Sequence, residues 1–260
     1  MKLERLLMIS LLSGVVFTFV DYAAAAGRGK CPSPGFALQF GGANQVEVPN
    51  DAALYPQGQF TIEFWFKSTG RFLNGCFVNG TNGYYVTVEH GIGGPGGPPG
   101  AGFAGAFQTA GYVAAYNYGD FWDGQWHHYA LVYNGDGLLL YIDGVPGDPI
   151  NYSIGYGHPP IIIGMDALAV GSGNFYLGQA GEGSHGDGGI VDEFRISNIA
   201  RYSSDFSKRV RRLRCLGRDA YTVAYWQLEE GTGDVAHDSS GNSHDGALQG
   251  DPPPAWVAGR

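Results

Sequence analysis

An all-β sandwich of two packed sheets is the fold class this sequence predicts. Composition is one reason. Glycine supplies 44 of the 260 residues and aromatics 14%, while charged residues make up only 15%, a balance that suits short strands and tight turns. Pattern is the other. Short alternating stretches recur along the chain, separated by Gly, Asn and Asp clusters, as antiparallel strands require. Trp126–Val145 condenses both features into one hairpin. Tyr129, Leu131 and Tyr133 fall on one face of its first strand, with His128, Ala130 and Val132 on the other. Asn134-Gly135-Asp136-Gly137 supplies a turn in which positive φ is cheap, Leu138–Ile142 returns, and Asp143-Gly144 turns the chain again.

The N-terminus reads as a targeting segment. Lys2 and Arg5 precede an apolar run, Leu6–Val20, and Ala23–Ala26 offers small residues for cleavage before Gly27. Residues 1–26 are therefore expected to be a secretory signal. The apolar run is shorter than a membrane-spanning helix needs, and no later stretch is apolar enough to span. Removal takes away two cations, Lys2 and Arg5, and two acids, Glu4 and Asp21, so the net charge of −9 is unchanged. That acidic balance argues against nucleic acid, which needs a basic face. A secreted, periplasmic or cell-surface location is expected.

The remaining residues fit one large β domain, placed at 35–260. Strands are expected at Phe36–Phe40, Gln45–Val48, Thr61–Phe66, Phe72–Asn79 and Tyr84–Glu89. Gly91–Gly102 is a Gly/Pro-rich loop that sustains neither helix nor central strand. Strands resume at Phe103–Gln108 and Tyr112–Tyr116 and, after the hairpin, at Ile161–Ile163, Phe175–Leu177, Gly189–Ile196 and Val223–Leu228. Residues 223–260 are read as closing the same sandwich, since their alternation otherwise exposes Trp226. Asp205–Leu213 is the one helical stretch predicted after the signal. Its Lys208, Arg209, Arg211 and Arg212, with Arg214 beyond, form either a patch for an anionic ligand or a solvated helix face.

Five segments carry a family resemblance. ALQFGGANQVEVP from Ala37, FTIEFWFK from Phe60, the hairpin WHHYALVYNGDGLLLYIDGV, IVDEFRISNIARY from Ile190, and VAYWQLEEGTGDVAHDSSGNSHDGAL from Val223 resemble, in order and spacing, the laminin-G-like (concanavalin A-like, pentraxin-related) jelly roll. The resemblance implies a two-sheet antiparallel jelly roll and a recognition module, most simply for carbohydrate, with a surface-protein partner as the alternative. Terminal strands lie close in such a fold, which implies a Cys31–Cys215 disulfide and leaves Cys76 as a buried thiol or an intermolecular partner. FYLGQAGEGSHGDGGIVD from Phe175 resembles a pentraxin calcium loop, which implies Glu182 and Asp187 as ligands. The partner Asp-Asn pair of that family falls at Asn79–Asn82, where Asn82 is the candidate and no acid is present. A second oxygen-rich loop, Asp238–Asp245, offers Asp238 and Asn242, with Asn44 nearby if the first and last strands are neighbours. Ordinary Asx-turn chemistry is the competing reading for these loops.

Sugar binding by exposed rings is the third reading. Tyr116 and Tyr118 share a strand face, and Trp122 follows beside Asp120 and Asp123. Tyr152, Tyr156 and His158 form a second cluster, and Trp65, Trp126 and Trp226 are assigned to the core. The family also holds glycosidases, so an enzyme is the last alternative. Retaining glycosidases bring two carboxylates about 5 Å apart, and no acids alternate on one strand here. Asp192-Glu193 and Glu229-Glu230 are adjacent pairs, expected to point to opposite faces, as are His127-His128.

Overall fold

The computed structural model describes residues 35–41, 44–56, 58–68, 75–80, 84–88, 101–108, 111–118, 121, 123–135, 137–147, 175–177 and 189–260. The signal segment, Cys31, most of the 91–102 loop and the strand expected at 161–163 lie outside these residues. The strands are β1 (Phe36–Gln39), β2 (Gln45–Val48), β3 (Phe60–Ser68), β4 (Gly75–Gly80), β5 (Tyr84–Val88), β6 (Ala101–Gln108), β7 (Gly111–Tyr118), β8 (Trp126–Tyr133), β9 (Leu138–Ile142), β10 (Val145–Pro146), β11 (Phe175–Leu177), β12 (Gly189–Ser197), β13 (Thr222–Trp226), β14 (Val235–Ala236), β15 (Gly246–Gln249) and β16 (Ala255–Ala258). They form two antiparallel sheets. The first has the order β10-β9-β8-β3-β12-β1-β16, with β13 also paired to β12. The second has the order β14-β15-β2-β11-β4-β5-β6-β7. We refer to them as the roofed sheet and the platform sheet.

Residues 222–258 feed both sheets. β13 joins the roofed sheet, β14 and β15 extend the platform sheet beside β2, and β16 pairs with β1 from Phe36↔Ala258 to Gln39↔Ala255. Trp226 is fully buried, and its indole N–H donates to the His244 carbonyl at 2.8 Å.

The apolar core lies between the sheets. Ile62, Phe64 and Phe66 of β3 point into it with Tyr129, Leu131 and Tyr133 of β8. Phe64 stacks on Tyr129 at 4.8 Å and on Phe194 at 5.3 Å. Each such ring contributes about 1.5–3 kcal/mol by leaving water. The hairpin closes as its residues require: Gly135 and Gly144 hold φ of 100° and 77°, and Asp143 holds 52°.

The opposite face of β3, β8 and β12 is also covered. Residues 198–221 cross it as a roof. Tyr202 packs with Ala130, Val132 and Tyr141, and half-buried Phe206 joins them. Phe206 stacks on Tyr202 at 3.6 Å, and its N–H donates to the Gly144 carbonyl at 2.9 Å. Helix α1 is confined to Ser207–Val210, shorter than the predicted 205–213. Cations at spacings of three and four repel along a longer helix. Beyond it, the carbonyls of Leu213, Arg214, Leu216 and Gly217 accept from the guanidinium groups of Arg260 and Arg195 instead of extending the helix.

Candidate functional site

Beneath the roof the strands carry charge. Glu63 of β3 is fully buried, and Arg195 of β12 donates to its Oε1 through Nε at 3.0 Å and through Nη2. Tyr202 donates to Oε2 at 2.7 Å, and His128 Nε2 lies 3.2 Å from it. Burial opposes the Glu63 charge, yet Arg195, His128 and Arg201 outweigh it and hold the carboxyl far below its usual range. Arg201 forks onto Asp219 at 2.7 and 2.8 Å, and Asp219 is lowered to about 2.

Strict alternation fails at Asp192 and Glu193. The register slips between Asp192 and Arg195, and Glu193 takes φ of 50°, so both acids sit under the roof rather than on opposite faces. Glu193 accepts from Tyr225 Oη at 2.6 Å and from the Leu216 N–H. Asp192 Oδ2 accepts from the Arg260 N–H at 3.0 Å, while its Oδ1 has no hydrogen-bond partner among the described residues. Arg260 lies 3.7 Å over the Trp65 ring. Burial, reinforced by Glu193 and Glu229, pushes Asp192 up to about 7. Both acids are less than a tenth exposed, which makes them fasteners of the roof. Trp65 thus belongs to this layer and not to the apolar core.

The two histidines do face apart. His128 is the buried partner of Glu63. His127 is part-buried, with Nδ1 2.7 Å from Asp143 and Nε2 3.1 Å from Asp123. Burial works against its charge, but the two carboxylates win and raise its pKa.

The Asp238 loop is a closed turn. Asp238 Oδ1 accepts from the N–H groups of Tyr225 and Ser240, and Oδ2 accepts from Ser240 Oγ and the His244 N–H. Asn242 Nδ2 donates to the Val223 carbonyl at 2.7 Å. Asn44 is spent elsewhere, accepting from Gly41 N and donating to the Pro252 carbonyl. Asp238 and Asn242 therefore come together, within the hydrogen bonds of an Asx turn. Asn82, Glu182 and Asp187 lie outside the described residues, as does Trp122. Among the described residues no three His, Cys, Asp or Glu side chains converge as a metal site.

The platform sheet builds a different surface. Val46, Val48 and Leu177 are buried in the core, while Glu47 and Tyr176 are half-buried between them in sequence. At the far edge Asn117 is buried and donates to the carbonyls of Leu140 and Val145, which fixes the core-facing side of β7. The register then runs Glu47↔Tyr176↔Asn79↔Tyr85↔Gly105↔Ala114 across five pairings. Directly paired residues share a face, so these positions lie on the face away from the core. Phe103↔Tyr116 and Ala101↔Tyr118 lie in neighbouring rows of that face. Tyr116 and Tyr118 are thus brought into one surface with Asn79, Tyr85, Phe103 and Tyr176, four positions the sequence reading did not join to them.

The comparisons fit this architecture. A family described as the concanavalin A-like lectin/glucanases superfamily matches residues 40–205. The chain belongs to that superfamily. Within the superfamily's fold, a Bacteroides ovatus protein described provisionally as carbohydrate binding is similar at a TM-score of 0.61 and 19% identity, over 86% of this chain and 60% of that one. The chain thus spans somewhat less than two thirds of that neighbour. A heptameric SAP-like pentraxin from Limulus polyphemus is similar at a TM-score of 0.40 and 15% identity, over 69% of this chain and 81% of that one. Botulinum neurotoxin type C, in a study of its ganglioside interaction, is similar at 0.42 and 11%, over 60% and 36%. No curated protein matches in sequence. β13 to β16, α1 and its basic stretch lie beyond the superfamily's matched span.

Proposed function

We propose that this chain is a secreted, non-catalytic carbohydrate-binding module whose ligand lies on the outward face of the platform sheet. The observation that carries the reading is the register that assembles Tyr85, Phe103, Tyr116, Tyr118 and Tyr176 around Asn79 on one face. Sugar rings present apolar faces that stack on aromatic rings, while amides bond their hydroxyls. Gly105 and Ala114 place small residues in the same row on β6 and β7, toward the sheet edge. The Bacteroides neighbour supports the reading, since it shares the fold and is itself described as carbohydrate binding. A non-catalytic role is consistent with the carboxylates of Glu63, Asp192 and Glu193 being engaged beneath the roof.

Calcium assistance belongs to this proposal, with Asn82, Glu182 and Asp187 as ligands. So does secretion after cleavage at residue 26. So does the Cys31–Cys215 bridge. Gly259 N–H bonds the Gly35 carbonyl, and Arg260 reaches the carbonyls of Leu213 and Arg214.

A glycan panel, run with calcium and again with chelator, tests the reading. The expected result is saccharide binding that falls at least tenfold in Tyr116→Ala and Tyr118→Ala (~1.4 kcal/mol or more). Loss in chelator together with loss in Glu182→Gln and Asp187→Asn would support the metal. Binding to no glycan by folded protein would overturn the reading and favour a protein partner.

A further inference from the structure

The roof carries a second surface of different chemistry. Lys208, Arg209, Arg211, Arg212, Arg214 and Arg218 are six of the chain's 15 Lys and Arg residues, gathered within eleven positions. All six are exposed. The surrounding stretch 205–219 holds two acids, Asp205 and Asp219, and Asp219 is already clamped by Arg201. Among the described residues none of the six cations forms a salt bridge; Arg209 lies 5.9 Å over the Tyr202 ring, and Arg218 donates to the carbonyls of Ser239 and Ser240. On a chain of net charge −9, this is a strong local reversal of sign.

The scaffold under these cations is fixed. Tyr202, Val210 and Leu216 are buried against the sheet, and Phe206 is tied to Gly144. Arg195 and Arg260, held by Glu63, Asp192 and Glu193, draw four backbone carbonyls inward. A ligand therefore meets cations carried on an ordered backbone, so the ordering cost is confined to their side chains.

We propose that the strip from Lys208 to Arg218 is a binding surface for a linear anionic polysaccharide, one bearing carboxylate or sulfate groups. Five of the six cations are arginine, whose planar fork matches such groups two bonds at a time. A bilayer fits less well. Among the described residues the exposed large hydrophobics are Phe36 and Val145, two single side chains and not the apolar face that an interfacial helix buries. A nucleic-acid duplex carries one charge per ~1.7 Å on a broad cylinder and would press against the acidic remainder of the molecule. This surface does not depend on the aromatic face of the platform sheet.

The test measures binding of the full chain to polygalacturonate, to dextran sulfate and to neutral dextran, at low and high salt. Binding to one or both polyanions, with none to dextran, is expected, and the two probes separate carboxylate from sulfate preference. Raising salt to about 0.5 M should abolish it, because exposed charges are screened over a few ångströms there. Arg211→Gln/Arg212→Gln/Arg214→Gln should weaken binding at least tenfold, while the matching Lys triple, which keeps the charge and loses the fork, should weaken it by a smaller factor. Far-UV circular dichroism confirms that both triples fold. Unchanged binding by the Gln triple, tighter binding to phosphatidylglycerol vesicles than to either polyanion, or no polyanion binding at all would overturn the proposal. The Gln triple should leave neutral-glycan binding on the aromatic face intact, so failure of one surface is distinguishable from failure of the other.

Discussion

Single residues beneath the roof set the pH response. Asp192 binds its proton more tightly in the folded chain than in the unfolded one, with a folded pKa of about 7. The folded state therefore carries more protons across the interval from the ordinary carboxyl range up to neutrality, and the Asp192 contribution to stability falls as pH rises through it. Asp192→Asn should remove that fall. Denaturant melts are expected to show the two chains nearly equal at pH 4 and the variant about 2 kcal/mol more stable at pH 8. Identical pH profiles would refute the assignment. Glu63 has the opposite linkage: its depressed pKa gives stability that is present above the usual carboxyl range and is lost only in strong acid. The two carboxyls differ because Glu63 has Arg195 bonded directly to it, whereas Asp192 is offered a backbone N–H and two neighbouring acids.

At the level of elements, the Asp143-Gly144 turn and the roof depend on each other. A Cβ on Gly144 would lie 2.6 Å from the Ser207 nitrogen and 2.8 Å from the Phe206 carbonyl carbon, at a φ of 77°. Gly144→Ala should therefore cost about 2–4 kcal/mol, from strained backbone plus a displaced roof. Gly135→Ala is the matched control: its φ is 100° with nothing within 4 Å, so only the conformational cost of roughly 1 kcal/mol remains. Thermal melts of the two variants separate the terms, and equal losses would show that the roof does not rest on the turn. This scale is also where sequence reading reached its limit. Alternation in Trp126–Tyr133 correctly separated the two faces, and the turn residues located both reversals, but Trp65 and Trp126, read as core, lie outside the apolar core. The slip at Asp192-Glu193 left no local mark, because a glutamate at positive φ has no sequence signal. The burial of Glu63 was not legible, because a strand's pattern reveals its two faces but not what lies over each. Tyr116 and Tyr118 were legible as a shared face, while their companions on β4, β5, β6 and β11 were not. Cross-strand register is decided by pairing, not by any one segment.

For the whole molecule, the ends of the described chain meet. β1 lies between β12 and β16, and the backbone of Gly259 is bonded to Gly35. A Cys31–Cys215 bridge would lock this seam by closing a very long loop of the unfolded chain. Cys31→Ser/Cys215→Ser is expected to lose about 2–5 kcal/mol, with Cys76→Ser near neutral. Peptide mapping without reductant should recover the two cysteines in one linked species; recovery of free thiols at both would sink the bridge.

The roof has a consequence for inheritance. Glu63, His128, Arg195 and Tyr202 answer one another across three strands and the crossing segment. Removing Glu63 or Arg195 leaves a buried charge without its counterpart, a loss of about 3–5 kcal/mol, and removing His128 or Tyr202 leaves Glu63 Oε2 short of a hydrogen-bond partner, a loss of about 1–3 kcal/mol. A descendant that shed the segment 198–221 would expose or orphan all four together. Divergence at these positions should therefore be all-or-none: relatives that keep the crossing keep the quartet, and relatives that lack it carry ordinary solvent residues at all four.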